Sequence, residues 1–267
     1  MTDTKRKGSR SAKDIPTSIL NQLNRGEIET TNLVEWLAVD QKLLLENVLQ
    51  KMERTYYLKP ITDQINGLQK QTVNTINETI GSCILEIATK QNDIEILPAI
   101  QSHQSDLVRC WGTYTIGRNA QLSIAEILSQ IKPFAADTHF GVREISWLAI
   151  RSALIKNLDE SLKILSKWTN DPAENLRRFA SEATRPRGVW SEHIEQLKQQ
   201  PELGLVILEP LFSDPSKYVQ NSVANWLNDA SKTQPQFVIE ICNKWQKKSA
   251  SKETAYIVKK ALRTIEK

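Results

Sequence analysis

One short pattern recurs along this chain, and its period limits what the chain can fold into. A Val or Leu followed by a basic or polar residue opens an apolar helical segment at Val108-Arg109, Val142-Arg143, Leu176-Arg177, Val219-Gln220 and Val258-Lys259. The anchors 108, 142, 176, 219 and 258 are separated by 34, 34, 43 and 39 residues. Val73 lies 35 residues before Val108 and heads an earlier, weaker copy. A period of this size, with two helices per unit, is the signature of a helical solenoid of the HEAT or armadillo type. No single unit can bury its own apolar face, so the units must stack.

Helix-start signals fit the same scheme. Asp171-Pro172-Ala173-Glu174 offers a capping Asp, a first-turn Pro and a Glu three residues after the Asp, and Asp214-Pro215 repeats the first two. Amphipathic first helices are predicted over 159–168, 191–199 and 203–212. Alternating β-branched runs bounded by turn dipeptides are missing from the sequence, so the expected fold class is all-α, a right-handed solenoid of HEAT-like repeats with a concave groove. A single repeat domain is expected over 15–267, preceded by a basic, flexible tail over 1–14.

Charge bears on the partner. The net charge is +4, and residues 1–13 carry all of it, with Lys5, Arg6, Lys7, Arg10 and Lys13 against Asp3. The remainder balances, so a nucleic-acid surface has to come from charge segregated onto one face. Cys83, Cys110 and Cys242 are scattered, as are His103, His139 and His193, which argues against a metal site or disulfide framework and for a reducing cytoplasm. Neither a signal-peptide core nor an apolar run of roughly 20 residues is present, so no membrane role is expected. A Gly-rich phosphate loop is also missing, which argues against nucleotide hydrolysis.

The most concentrated chemistry lies between Arg177 and Trp190, which hold Arg177, Arg178, Arg185, Arg187, Glu182 and Trp190 around one helix end and the turn after it. In the 176 helix, Leu176, Phe179, Ala180 and Ala183 form the packed stripe. Arg178, Glu182 and Arg185 share another stripe by i, i+4, i+7 spacing. The matching stripe of the 219 helix is Asn221, Asn225 and Asn228, beside Asp229. In the 142 helix it is Glu144, Leu148 and Arg151, flanked by Arg143 and Trp147. Second helices line the concave face of such solenoids, so one groove collects Glu144, Arg151, Arg178, Glu182, Arg185, Asn221, Asn225 and Asp229. Trp190 and Trp147 are expected to face that groove. Trp111 and Trp226 are read as core, and Trp36, Trp168 and Trp245 as core or scaffold. Spacing alone also suits Glu182 as an ion-pair partner of Arg178 or Arg185, and Asp229 as a helix-end cap.

At Val142–Trp147, Arg177–Trp190, Tyr218–Asp229 and Glu253–Thr264 the chain resembles the bacterial DNA alkylation repair glycosylases built from HEAT-like repeats, the AlkC branch beside AlkD. The Arg-Pro-Arg…Trp block and the Ser-Val-Ala-Asn-Trp-Leu-Asn-Asp block are specific to that resemblance. It implies a monofunctional glycosylase, acting as a monomer without metal or cofactor on duplex DNA. Its substrates would be cationic N-alkylated bases: 3-methyladenine and, in this branch, 3-methylcytosine and 1-methyladenine. Some relatives carry an additional immunoglobulin-like domain, which is not expected in this chain.

By position in the motifs, Asp229 resembles the catalytic Asp, and Glu182 and Trp190 line the cleft. This chain reads Arg-Glu-Ile-Ser-Trp-Leu-Ala-Ile-Arg over 143–151, where other members read closer to Ser-Glu-Phe-Ala-Ile-Arg, so Glu144 and Trp147 are alternatives for the first cleft position. Arg151, Arg178, Arg185, Arg187, Lys217, Asn221, Asn225 and Arg263 are expected to contact DNA. The competing reading, from another functional class, is a non-catalytic HEAT-repeat module that binds damaged or branched DNA or a protein partner.

Overall fold

A computed structural model describes residues 6–265. Every regular element among them is helical. The chain forms two compact units: one holds the described residues up to Gln121 together with His139–Ala149, and the other holds Leu122–Thr138 and the chain from Ile150 onward. The Phe140–Lys156 helix contributes its first part to one unit and its second part to the other.

The repeat anchors are core residues in both units. Val108 lies in the Asp106–Gly117 helix, Val142 in Phe140–Lys156, Leu176 in Glu174–Ala183, Val219 in Lys217–Ala230 and Val258 in Lys252–Ala261, and all five are buried. At three of the five, the residue after the anchor, which sequence alone allows to be a solvated charge, has a shared task. Arg109 Nη1 donates to the carbonyls of His103 and Gln104 at 2.9 and 3.0 Å. Arg177 Nη1 donates to those of Asp171 and Pro172, both at 2.9 Å. Gln220 Nε2 reaches those of Asp214 and Pro215 at 2.8 and 3.4 Å. Each side chain thus ties down the loop entering its helix, six and five residues back, satisfying carbonyls that would otherwise lack partners.

Asp171 and Asp214 do not cap helices. The helices begin at Glu174 and Lys217, and each carboxylate instead accepts the backbone N–H two residues on, from Ala173 at 3.0 Å and Ser216 at 2.8 Å. The intervening Pro has no N–H, so the Asp closes a local turn and the helix starts one residue later. Asp214 also receives Arg177 Nε and Nη2 at 2.7 and 3.1 Å.

The first helix expected over 159–168 forms, over Leu158–Trp168. The expected helices over 191–199 and 203–212 do not. That stretch holds a short Glu195–Gln199 helix, then Pro201–Gly204, Leu205–Leu208 and Glu209–Leu211 as a broken run. Pro201 and Pro210 interrupt the hydrogen-bond ladder. Residues 184–194 form the loop that lengthens this repeat to its 43-residue spacing.

Residues 1–5 of the expected tail lie outside the described residues. Arg6 reaches Glu35 through Nη1 at 2.6 Å and Nη2 at 2.7 Å, and donates to the carbonyl of Glu29 at 3.0 Å. Glu35 is buried, which makes this a partly desolvated bidentate pair.

Candidate active site

The site lies in the second unit and begins with a helix that stops. Leu176, Phe179, Ala180 and Ala183 bury one stripe of Glu174–Ala183, with Phe179 against the Trp168 ring at 5.4 Å between centroids. The helix cannot continue through Arg185-Pro186, because a residue before Pro is pushed out of the helical region. Arg185 therefore leaves the helix, and its side chain points back toward the helix end. Nη1 donates to Glu182 Oε1 at 2.7 Å, and Nε to Asp229 Oδ2 at 2.8 Å. Asp229 comes from the far end of the neighbouring Lys217–Ala230 helix.

One guanidinium thus bridges two buried carboxylates; Asp229 is only 4% exposed. Around them runs a hydrogen-bonded chain: Ser181 Oγ donates to Ser222 Oγ at 2.7 Å, and Ser222 Oγ to Glu182 Oε2 at 2.6 Å. Arg178 Nη2 stands 3.6 Å from Glu182 Oε2, with its guanidinium over the Tyr218 ring at 4.3 Å. Lys232 Nζ lies 3.5 Å from Asp229 Oδ1. Burial pushes the Glu182 carboxyl up, but Arg178, Arg185 and the Ser222 hydroxyl together pull it further down, so it is held ionised. For Asp229 burial wins: its carboxyl is raised above the ordinary Asp range, with Arg185 and Lys232 only partly opposing. The difference is physical, since Glu182 has two arginines and a hydroxyl while Asp229 has a shared arginine and a more distant lysine.

Trp190 stands at the tip of the 184–194 loop, 84% exposed, with a left-handed backbone φ of 61°. Trp226 is core: its Nε1 donates to Thr184 O at 2.9 Å, and its ring lies against Gly204, where a Cβ would sit 2.3 Å from it.

Three expectations are corrected. Arg185, expected to contact DNA, is buried with its guanidinium on Glu182 and Asp229. Trp147 does not face an open groove; it is 1% exposed, and its Nε1 has no hydrogen-bond partner. The Phe140–Lys156 helix is apolar on several sides, so position off one stripe did not mean exposure. Arg151 does not reach toward phosphates; it is buried, and its guanidinium donates to three backbone carbonyls.

The other predicted residues are placed as follows. Glu144 is half-buried in the first unit. Asn221 Oδ1 accepts from Tyr256 OH at 2.8 Å and Lys260 Nζ at 2.6 Å. Asn225 Oδ1 accepts from Arg263 Nη2 at 3.1 Å. Lys217 is exposed, with its ammonium over the Tyr256 ring. Arg187 is half-buried, its Nε without a hydrogen-bond partner. Sequence reasoning missed Ser181 and Ser222. Their register was readable, four residues before Arg185 and one after Asn221, but hydroxyls at helical spacing carry no signal of their own. Among the described residues no three His, Cys, Asp or Glu converge to hold a metal, and no helix is long and apolar enough to cross a membrane.

Fold and site together define a class: an all-α helical-repeat protein with two buried carboxylates on one arginine. Residues 121–265 match the family of DNA alkylation repair enzymes, and the chain belongs to that family. The uncharacterized protein YhaZ of Bacillus subtilis (strain 168) is 36% identical over 145 residues, which is 54% of this chain but only 39% of that relative's length. The Pseudomonas fluorescens alkylpurine DNA glycosylase AlkC, solved bound to DNA containing an abasic site analog, is similar at TM-score 0.56 and 23% identity, over 97% of this chain and 66% of that one. AlkD2 from Streptococcus mutans is similar at TM-score 0.57 and 22% identity, over 78% of this chain and 98% of that one. At these identities the solved structures share the fold.

Proposed function

We propose that this protein is a DNA glycosylase that hydrolyses the N-glycosidic bond of cationic N-alkylated bases in duplex DNA, with 3-methyladenine, 3-methylcytosine and 1-methyladenine as the candidate substrates. It acts as a monomer in the cytoplasm and needs no cofactor. The observation that carries this reading is the pair of buried carboxylates, Glu182 and Asp229, bridged by Arg185.

The chemistry of the substrate fits that pair. An N3-alkylated purine is already positive, so it departs without a protonated acid to assist it. The sugar left behind becomes cationic. A carboxylate beside the sugar stabilises that charge and orients or deprotonates the attacking water. Asp229 is the catalytic group: Oδ2 is pinned by Arg185, while Oδ1 has only Lys232 at 3.5 Å. Glu182, held ionised, adds negative potential and fixes Arg185. Trp190 offers its face to the cationic base, a contact worth about 0.5–2 kcal/mol. Arg178, Arg187, Lys217 and Arg263 hold phosphates.

The test is base release from methylated duplex DNA, resolving 3-methyladenine, 7-methylguanine and 3-methylcytosine, with wild type beside Asp229→Asn. Release of 3-methyladenine by wild type alone is expected. No release of any base, with tight DNA binding retained, would overturn the reading in favour of a recognition module.

A further inference from the structure

The loop that follows Arg185 is held in a strained shape, and nothing on its outer side accounts for it. A bulky residue in the left-handed region is uncommon and persists only where its surroundings over-determine it. Trp190, at φ 61°, is the most exposed large apolar residue of the second unit, so it provides no packing of its own.

The restraint lies on the inner side and comes from Arg151. Its Nη1 donates to Ala183 O at 2.6 Å, Nη2 to Arg185 O at 2.7 Å and Nε to Glu192 O at 2.9 Å. These carbonyls stand where the helix ends, where the loop starts and where it returns. Ile194 N donates to Pro186 O at 3.0 Å and closes the neck. Gly188 lies over the guanidinium: a Cβ there would be 3.3 Å from Arg151 Nη2 and 2.2 Å from Ser191 Oγ.

Arg151 is 3% exposed, and among the described residues no carboxylate comes within ion-pair distance of it. Burial, and then the nearby Arg185 charge, bring its pKa down to about 10 against the weaker pull of Glu192, Asp229 and Glu182, none of which pairs with it directly. A buried cation without an anionic partner is an expensive way to fill space, and an apolar side chain would pack as well. The planar fork, with three donors diverging to three carbonyls, is what an apolar residue or a lysine lacks.

We propose that Arg151 is a positioning residue for base excision, whose guanidinium fixes the 184–192 segment so that Arg185 stays on the carboxylates and Trp190 is presented outward. This rests on the glycosylase reading of the same site. It also moves Arg151 from the DNA-contacting group to the inside of the loop.

The experiment uses the full chain with Arg151→Lys and Arg151→Met. Without DNA, amide hydrogen exchange over Arg187–His193 is expected to quicken tenfold or more in both variants, while the Lys217–Ala230 helix exchanges as in wild type. With methylated duplex, the single-turnover rate of 3-methyladenine release is expected to fall at least 30-fold, with duplex affinity changed less than threefold. Unchanged exchange in the loop would overturn the proposal. So would exchange raised equally throughout the chain, which marks general destabilisation, or affinity lost in step with rate, which marks a phosphate contact. If Arg151→Met does not fold, Arg151→Lys carries both arms. A wild type that releases no base removes the excision reading, and the exchange arm then decides the clamp by itself.

Discussion

Arg185 directs Nε and Nη2 to the same oxygen of Asp229, Oδ2, each at 2.8 Å and 44 positions away in the chain. The two oxygens of one carboxylate are therefore unequal: Oδ2 accepts the Nε hydrogen bond and has Nη2 at ion-pair distance, and Oδ1 faces Lys232 at 3.5 Å. A carboxylate that must steer water toward a sugar needs one anchored oxygen and one less engaged. Since Arg185 also holds Glu182, it sets the position of both groups.

Removing that cation leaves two like charges buried together. Arg185→Ala is expected to destabilise the fold by about 3–5 kcal/mol, the range for breaking a buried pair by deleting one partner. Urea unfolding measures it. A loss below about 1 kcal/mol would show that the carboxylates find water or other partners without Arg185.

Glu182 and Asp229 carry opposite pH signatures. Arg178 and Arg185 hold the Glu182 carboxyl below its unfolded value, so its contribution to stability is full above the ordinary Glu pKa and is lost as pH falls through the depressed one. Asp229 is raised by burial, so its contribution is present at low pH and declines as pH rises through its raised pKa. Base release should rise with pH as Asp229 ionises. Glu182→Gln gives Arg185 wholly to Asp229, so the acid limb of the single-turnover rate should move to lower pH. A limb that stays in place in Glu182→Gln would disconnect the two carboxylates.

Gly204 is where the broken first-helix segment meets the Trp226 ring. Gly204→Ala would put a methyl group 2.3 Å from that ring, which is rigid and has a fixed hydrogen bond to Thr184 O. A loss of about 1–3 kcal/mol is expected from overpacking. Thermal unfolding measures it, and an unchanged midpoint would show that the ring shifts to make room.

Lys217 and Arg263 are exposed cations on the helix bearing Asp229 and at the end of the last repeat. Replacing each with Ala should weaken binding to any duplex, methylated or not. The slope of log affinity against log salt should shrink by about one per residue. An unchanged slope would take that residue off the phosphate path.

Much of this was legible from periodicity. The period gave the stacked helical repeat and helical spacing put Leu176 in the packed stripe, while the i, i+4, i+7 stripe put Arg178, Glu182 and Arg185 within reach of one another. Those are local consequences of 3.6 residues per turn and of a repeat that cannot bury its own face. The serine chain from Ser181 through Ser222 to Glu182 was not legible, because it joins two helices 41 positions apart through side chains common on any helix.

The sequence by itself determined the all-helical repeat, the packed stripe of the 176 helix and the arginine–carboxylate stripe, since each follows from spacing of residues along the chain. Only the tertiary structure decided which way the remaining groups turn. Arg151 and Trp147 share a helix whose apolar content covers several faces, and both are buried, whereas Trp190 is driven out by a loop closed from within. Helical angle fixes where a side chain leaves its own axis. Which element covers that angle depends on carbonyls 32 to 41 residues away, and on how a loop with a proline and a left-handed residue folds back over them.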